Sequence, residues 1–581
     1  MLEKLLTQHF LQRFLENDLL SPDADRHDAI AMVCGALLTL GLFISILSPM
    51  KFLFMPFQSP GRTAVLANGD RLMFVAIAMI VMSLVAVLTW DSLSLDPRDT
   101  AIFGPLPIER GVIVRAKLRA VGMLAGTFAL AVGSLSSVFH PALMVAKLPI
   151  GLFPALALIV IQFAVTIAAG FFAFGSVVLV RELLRAVLGM RFSRVSAGLQ
   201  AVLIVALVTS FLLLPAILQR AGRPEQRTAR MLPPLWFVGL HDALAGDLVA
   251  GLPPGPLPGP IARQEALAMA RYRDVASHIR PLAWRAMTAL TATLTLAIAA
   301  FFWNSRQLPL PLVGRRAGRY RGPGLLTRAI MMTVARRPAT QAGFFFTLQC
   351  LFRSGPHRVV MAACTAVAIA LSTVFLAAGS RSAVTGLSSV PGYVLSTQTI
   401  ALALLLAAFR HATRLPADTS ANRLFRLAWV ADSSRFLTGV RRGALAGVVV
   451  PALVLLLPPY LYLLGTRLAL MHAFTGLLLS AALISLMTFR PTQLPFVASY
   501  APAGDLNTQG PVLLIGGLIA VSIFSSIERA ALADNQSAAI FWGILAAVAI
   551  LPPLAAGHNT QLDLPTAFDV PSQGTTRLDL G

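Results

Sequence analysis

Long apolar runs, each about 20 residues and separated by short polar stretches, recur along nearly the whole chain. Read as membrane spans, they number twelve. The first six cover about 29–49, 73–93, 120–140, 150–180, 199–218 and 286–304, and the second six about 359–379, 395–410, 443–464, 469–489, 511–528 and 537–556. The runs are unbroken and lack the period-two alternation of barrel strands, so the pattern predicts helices. The expected fold class is all-α, a polytopic membrane protein with two pseudo-repeats of six helices.

Polar positions supply the orientation. With a cytosolic N-terminus, the inside loops are about 94–119, 181–198, 305–358, 411–442 and 490–510. The third holds ten arginines from Arg306 to Arg358, and the fourth six from Arg414 to Arg442. Short outside loops carry little beyond Lys147, Arg381, Arg467 and Arg529, although the first has Lys51, Arg62 and Arg71. Because positive charge is retained on the cytosolic side, both termini are predicted to be cytosolic. The long segment 219–285 falls outside. Its Trp236, Phe237 and Trp284 are expected as interfacial aromatics, and a helical run is expected from Ile261 to Ile279. Five regions follow: an interfacial amphipathic helix in 1–28, a first half in 29–304, a basic cytosolic linker in 305–358, a second half in 359–556 and a polar tail in 557–581.

Composition agrees with this reading and removes other classes. The chain of 581 residues is 56% hydrophobic and 12% charged, with a mean hydropathy of +0.75, too apolar for a soluble globular protein. Its net charge of +22 is spread along the flanks of the spans, so the expected partner is an anionic bilayer surface and not nucleic acid. Cys34 and Cys364 lie in spans and Cys350 in a cytosolic segment, which suggests neither a disulfide framework nor a zinc site. There is no phosphate-binding GxxxxGK[ST] loop, no HExxH and no CxxC. No catalytic, cofactor or metal residue is therefore assigned, and the chain is expected not to be an enzyme. His140, His241, His278, His411 and His472 read as scattered polar anchors. Few charges fall within the spans, and Asp91 and Arg410 sit near span ends. Since ion-coupled carriers usually keep a buried charge, this points to an external energy source.

The two halves share an order of features. Each opens with an amphipathic segment, His9-Phe10-Leu11-Gln12-Arg13-Phe14 and Phe346-Thr347-Leu348-Gln349-Cys350-Leu351, and each reaches a proline-containing cytosolic loop after its second span. The first loop runs Asp96-Pro97-Arg98-Asp99-Thr100-Ala101-Ile102-Phe103-Gly104-Pro105-Leu106-Pro107-Ile108-Glu109-Arg110. Asp96-Pro97 starts a turn, the later prolines stiffen the chain, and Ile102, Phe103, Leu106 and Ile108 form an apolar patch that needs a surface to cover it. That surface is either the chain's own neighbourhood, with the lipid interface, or a partner.

This loop, with Arg115 and Lys117 before the third helix, resembles the permeases of ABC-2-type transporters, as does Pro233-Pro234-Leu235-Trp236-Phe237-Val238-Gly239-Leu240. The resemblance implies the membrane subunit of a bacterial ABC exporter in the cytoplasmic (inner) membrane. It implies a cytosolic ABC ATPase subunit as partner, with ATP-Mg held there and no cofactor in this chain. It makes loop 94–119 the coupling element, through Arg98, Asp99, Phe103, Leu106, Pro107 and Arg110. By position, loop 411–442 is the second, through Asp418, Asn422, Arg423, Phe425 and Arg426, though it departs from the Pro-Leu-Pro pattern. The transported substrate is not implied. The alternative reading is an ion-coupled secondary transporter with two six-helix repeats. A third, a membrane enzyme or scaffold, lacks a catalytic cluster.

Overall fold

The computed structural model describes residues 2–15, 60–90, 92–93, 103, 107–145, 148–221, 229–252, 259–306, 325–379, 392–415, 433–488, 494–496 and 506–556. Among the described residues nearly all are helical and none lies in a strand. Nine helical stretches among them are long and apolar enough to cross a membrane. The expected span at 29–49 lies outside the described residues. The chain divides into two compact units, Met1–Arg316 and Ala317–Gly581, with the division inside the basic linker.

Nine principal helices are described in the first unit, a four-residue helical turn at Asp247–Ala250 aside. α1 (Leu2–Leu15) is short, and α2 (Pro60–Leu88), α3 (Arg110–Val145), α4 (Leu152–Leu188) and α5 (Phe192–Leu212) are span-length. A short α6 (Leu214–Ala221) leads to α7 (Pro233–Ala245), α8 (Pro260–Ile279) and α9 (Ala283–Arg306). Two packing layers result. At one end Leu6 and Phe10 of α1 join Met82 and Ala86 of α2, Ile113 and Val114 of α3, and Phe174 of α4. At the other, α7 and α8 close over α2 and α4, with Leu235, Phe237 and Val238 among Leu72, Val75 and Val165.

The 219–285 segment is therefore structural in its helical parts. The expected helix from Ile261 begins at Pro260, whose fixed φ suits a first turn. Its inward face is Glu265, Met269, Tyr272, Ala276 and Ile279, at helical spacing. Phe237 corrects one expectation: it is fully buried in this core and not an interfacial aromatic, because α7 is wedged between α4 and α9. Trp284, by contrast, is 75% exposed. Gly239 permits the wedge, since a Cβ there would fall onto the Ile279 carbonyl.

The second unit begins with α10 (Leu325–Thr333) and α11 (Pro338–Arg353), followed by α12 (Gly355–Gly379) and α13 (Gly392–Ala412). α14 (Ser433–Ala444) continues through a π-helical stretch, Leu445–Val449, into α15 (Val450–Met487), and α16 (Leu506–Ala531) and α17 (Asn535–Ala556) complete it. α15 is two arms: Gly465, with φ 75° and ψ 167°, interrupts it six residues after the Pro458-Pro459 pair. The spans expected at 443–464 and 469–489 meet at this break.

α11 and α14 cross backbone to backbone. A Cβ on Gly343 would strike the Phe436 carbonyl, and one on Gly439 the Thr340 carbonyl. Gly443 and Gly447 extend this small-residue stripe at every fourth position, the spacing that lets two helices approach closely in an apolar medium. Next to the crossing, Phe346 and Phe409 pack on Phe496, and Phe436 packs on Phe346; the Phe496 N–H donates to the Thr413 carbonyl at 2.7 Å. His357 lies in the same cluster, and its Nε2 reaches the Leu415 carbonyl at 3.1 Å.

Candidate functional site

In the expected coupling loop, 94–119, Phe103 is buried against the rest of the first unit. Phe103 is 9% exposed and stands edge-on to His9 at 5.6 Å and to Phe10 at 5.7 Å. α1 presents Leu6 and Phe10, one turn apart, to this side, while Leu2 and Leu5 remain exposed. Lys117 of α3 lies beneath, almost completely buried, with Nζ 4.5 Å from the centre of the Phe10 ring. Such a desolvated cation–π contact contributes roughly 2 kcal/mol. Glu3 and Arg119 pair at 2.9 Å on the outside, where solvent leaves little net energy.

Among the expected coupling residues, Phe103 thus faces the chain's own core, whereas Pro107 and Arg110 are exposed. Arg98, Asp99 and Leu106 lie outside the described residues, as do Asp418, Asn422, Arg423, Phe425 and Arg426. The arrangement joins a loop residue to an N-terminal helix and to the base of a long helix.

A second site was not anticipated. Asp70 and Arg71 of α2 are both buried. Asp70 Oδ2 is 3.1 Å from His140 Nε2 of α3, and Arg71 Nη1 is 3.4 Å from Asp242 Oδ1 of α7. His241 Nδ1 approaches the same Asp242 oxygen at 3.4 Å. Burial first, and then the neighbouring Arg71 charge, push the His241 pKa down to about 4, so its ring is neutral at pH 7. Glu265 of α8 is fully buried and accepts the backbone N–H groups of Gly61 and Arg62, capping the first turn of α2 with a carboxylate.

At the other end of the same bundle, Glu182 of α4 accepts from Arg181 and from Asn304 Nδ2 at 2.7 Å. The Arg181 guanidinium lies over the Trp90 and Phe192 rings at 5.7 and 5.9 Å. Asn304 also donates to the Glu182 carbonyl at 2.8 Å, tying α9 to α4.

These groups correct the expectation that the spans hold almost no buried charge. The helix containing Asp70 and Arg71 begins at Pro60, well before the expected boundary near 73, and Glu182 lies within α4, beyond the boundary near 180. A hydropathy window trims such ends because an acid or arginine lowers its mean. It cannot register that Ala64, Ala67, Asp70 and Arg71 share a buried face. Adjacent opposite charges, Asp70-Arg71 and Arg181-Glu182, were the available signal.

The apolar helices mark the chain as a multi-pass helical membrane protein. No family model matches it, and no curated protein or solved structure is significantly similar to it.

Proposed function

We propose that this chain is the membrane permease subunit of an ATP-driven exporter. On this reading it has twelve spans in two repeats of six, lies in a bacterial inner membrane with both termini cytosolic, and couples through loops 94–119 and 411–442 to a separate ATPase chain. One observation carries the reading: Phe103 is locked under α1 against Phe10, while Pro107 and Arg110 stand exposed beside it. A loop built to receive force needs one end fixed in the transmembrane body and another free to meet a partner.

Two features of the separate units support the repeat. In the first, an N-terminal helix with an inward Phe packs at the start of α3, after the loop that follows the second expected span. In the second, α11 with inward Phe344 packs on α14, after the loop that follows α13. The order of helix, loop and packing partner is the same.

Affinity capture with an ABC ATPase subunit tests the proposal on purified full-length chain. The chain alone should hydrolyse no ATP, and the ATPase should bind wild type but not Leu106→Asp or Arg110→Glu. Full retention of binding in both variants would remove the docking claim.

The buried Asp70–His140 and Arg71–Asp242 contacts favour a second reading, an ion-coupled carrier, because ionisable groups inside a membrane bundle commonly mark ion pathways. Flux that survives ATP depletion and collapses with an ionophore would select it.

A further inference from the structure

Two buried ionisable groups stand apart from both sites. His472 lies on the second arm of α15, and Glu528 one turn before the end of α16. Their Nδ1 and Oε1 atoms are 2.6 Å apart, with side chains 0% and 1% exposed. Two lone pairs would not approach so closely, so at least one proton lies between them.

The surroundings hold the pair without adding charge to it. Tyr460, from the first arm of α15, stands edge-on to the imidazole at 4.7 Å, but its hydroxyl donates to the Val394 carbonyl of α13 at 2.9 Å. Gln398 of α13 donates to the His472 carbonyl at 2.7 Å. The charged residues of α13, Arg410 and His411, sit exposed in its last turn. From α17, Trp542 Nε1 donates to Thr475 Oγ1 at 2.9 Å, and α17 contains no ionisable residue. Arg467 of α15 is exposed and bonded to Asn535 at 2.6 Å, and Arg529, next to Glu528 on α16, is half-buried with partners of its own.

A buried polar atom without a partner costs about 1–3 kcal/mol. Here His472 Nε2 and Glu528 Oε2 have no hydrogen-bond partner among the described residues. With one proton between them the pair is a neutral imidazole donating to a carboxylate, with one net negative charge. A second, taken from water at Nε2 or Oε2, makes the pair neutral overall, an imidazolium beside a carboxylate or an imidazole beside a carboxylic acid. Deprotonation returns it to water.

We infer that His472 and Glu528 form a proton-binding site in the second unit, exchanging one proton with solvent. The inference does not depend on the ATPase partner proposed above. Proton uptake by the purified full-length chain, measured by back-titration from about pH 9 to about pH 4, tests it. The double variant His472→Gln with Glu528→Gln should take up about one proton per chain fewer than wild type. A second double variant, His472→Phe with Glu528→Leu, fills the space with apolar groups and serves if the amide pair does not fold. Uptake equal to wild type in the folded double variant would show a pair that keeps its single proton throughout, and would overturn the inference.

Discussion

Replacing Asp242 by Asn tests whether the charge network of the first unit is a true ion pair. The change preserves size and removes the charge opposite Arg71, a residue only 2% exposed. Removing one partner of a buried pair generally costs about 3–5 kcal/mol, because the survivor is left charged without solvent. Among the described residues the pair meets at one contact of 3.4 Å and Asp242 Oδ2 has no hydrogen bond, so the lower end applies. A loss of about 3 kcal/mol corresponds to roughly a hundredfold shift in the folding equilibrium. The double variant Arg71→Met with Asp242→Leu should recover most of it, since apolar replacement of a whole buried pair is often neutral or stabilising. Denaturant unfolding of the detergent-solubilised chain, followed by circular dichroism, measures all three. If Asp242→Asn unfolds with wild type, or the double variant is no more stable than Asp242→Asn, Arg71 is not held by this carboxylate.

Three further outcomes follow from other positions. His241 has its pKa lowered from 6.5 to about 4, so its contribution is complete above pH 6.5 and is lost as the pH falls through that interval, when the unfolded chain takes up a proton that the folded chain resists. The loss is at most about 3 kcal/mol, and a His241→Gln variant should show a flatter unfolding profile over this range. At the α11–α14 crossing, Gly439→Val should destabilise by more than about 1–3 kcal/mol, because its Cβ meets Thr340 and Phe344 backbone; an unchanged melting temperature would contradict the crossing. Burial raises the Cys350 thiol to about 12, so with Cys34 and Cys364 replaced by Ser, maleimide should modify Cys350 only after denaturation. Rapid labelling of the folded chain would place that face of α11 in solvent.

Much of the helical framework was legible in the linear pattern, and the residues joining it were not. Runs such as 359–379 and 395–410 emerged as α12 and α13 almost unshifted, because span length and apolarity are local properties. The Phe10 face of α1 was visible as helical periodicity, but its contact with Phe103 bridges a long separation in sequence that no periodicity encodes. The chain itself determined an all-helical, apolar, strongly basic protein whose arginines cluster between spans. Tertiary packing decided that Asp70, Arg71, Glu182 and Asp242 are buried, that Phe237 is core, and that Phe103 turns inward. Hydropathy averages over neighbours in sequence, whereas the cost of burying a charge is set by neighbours in space, and those come from other helices.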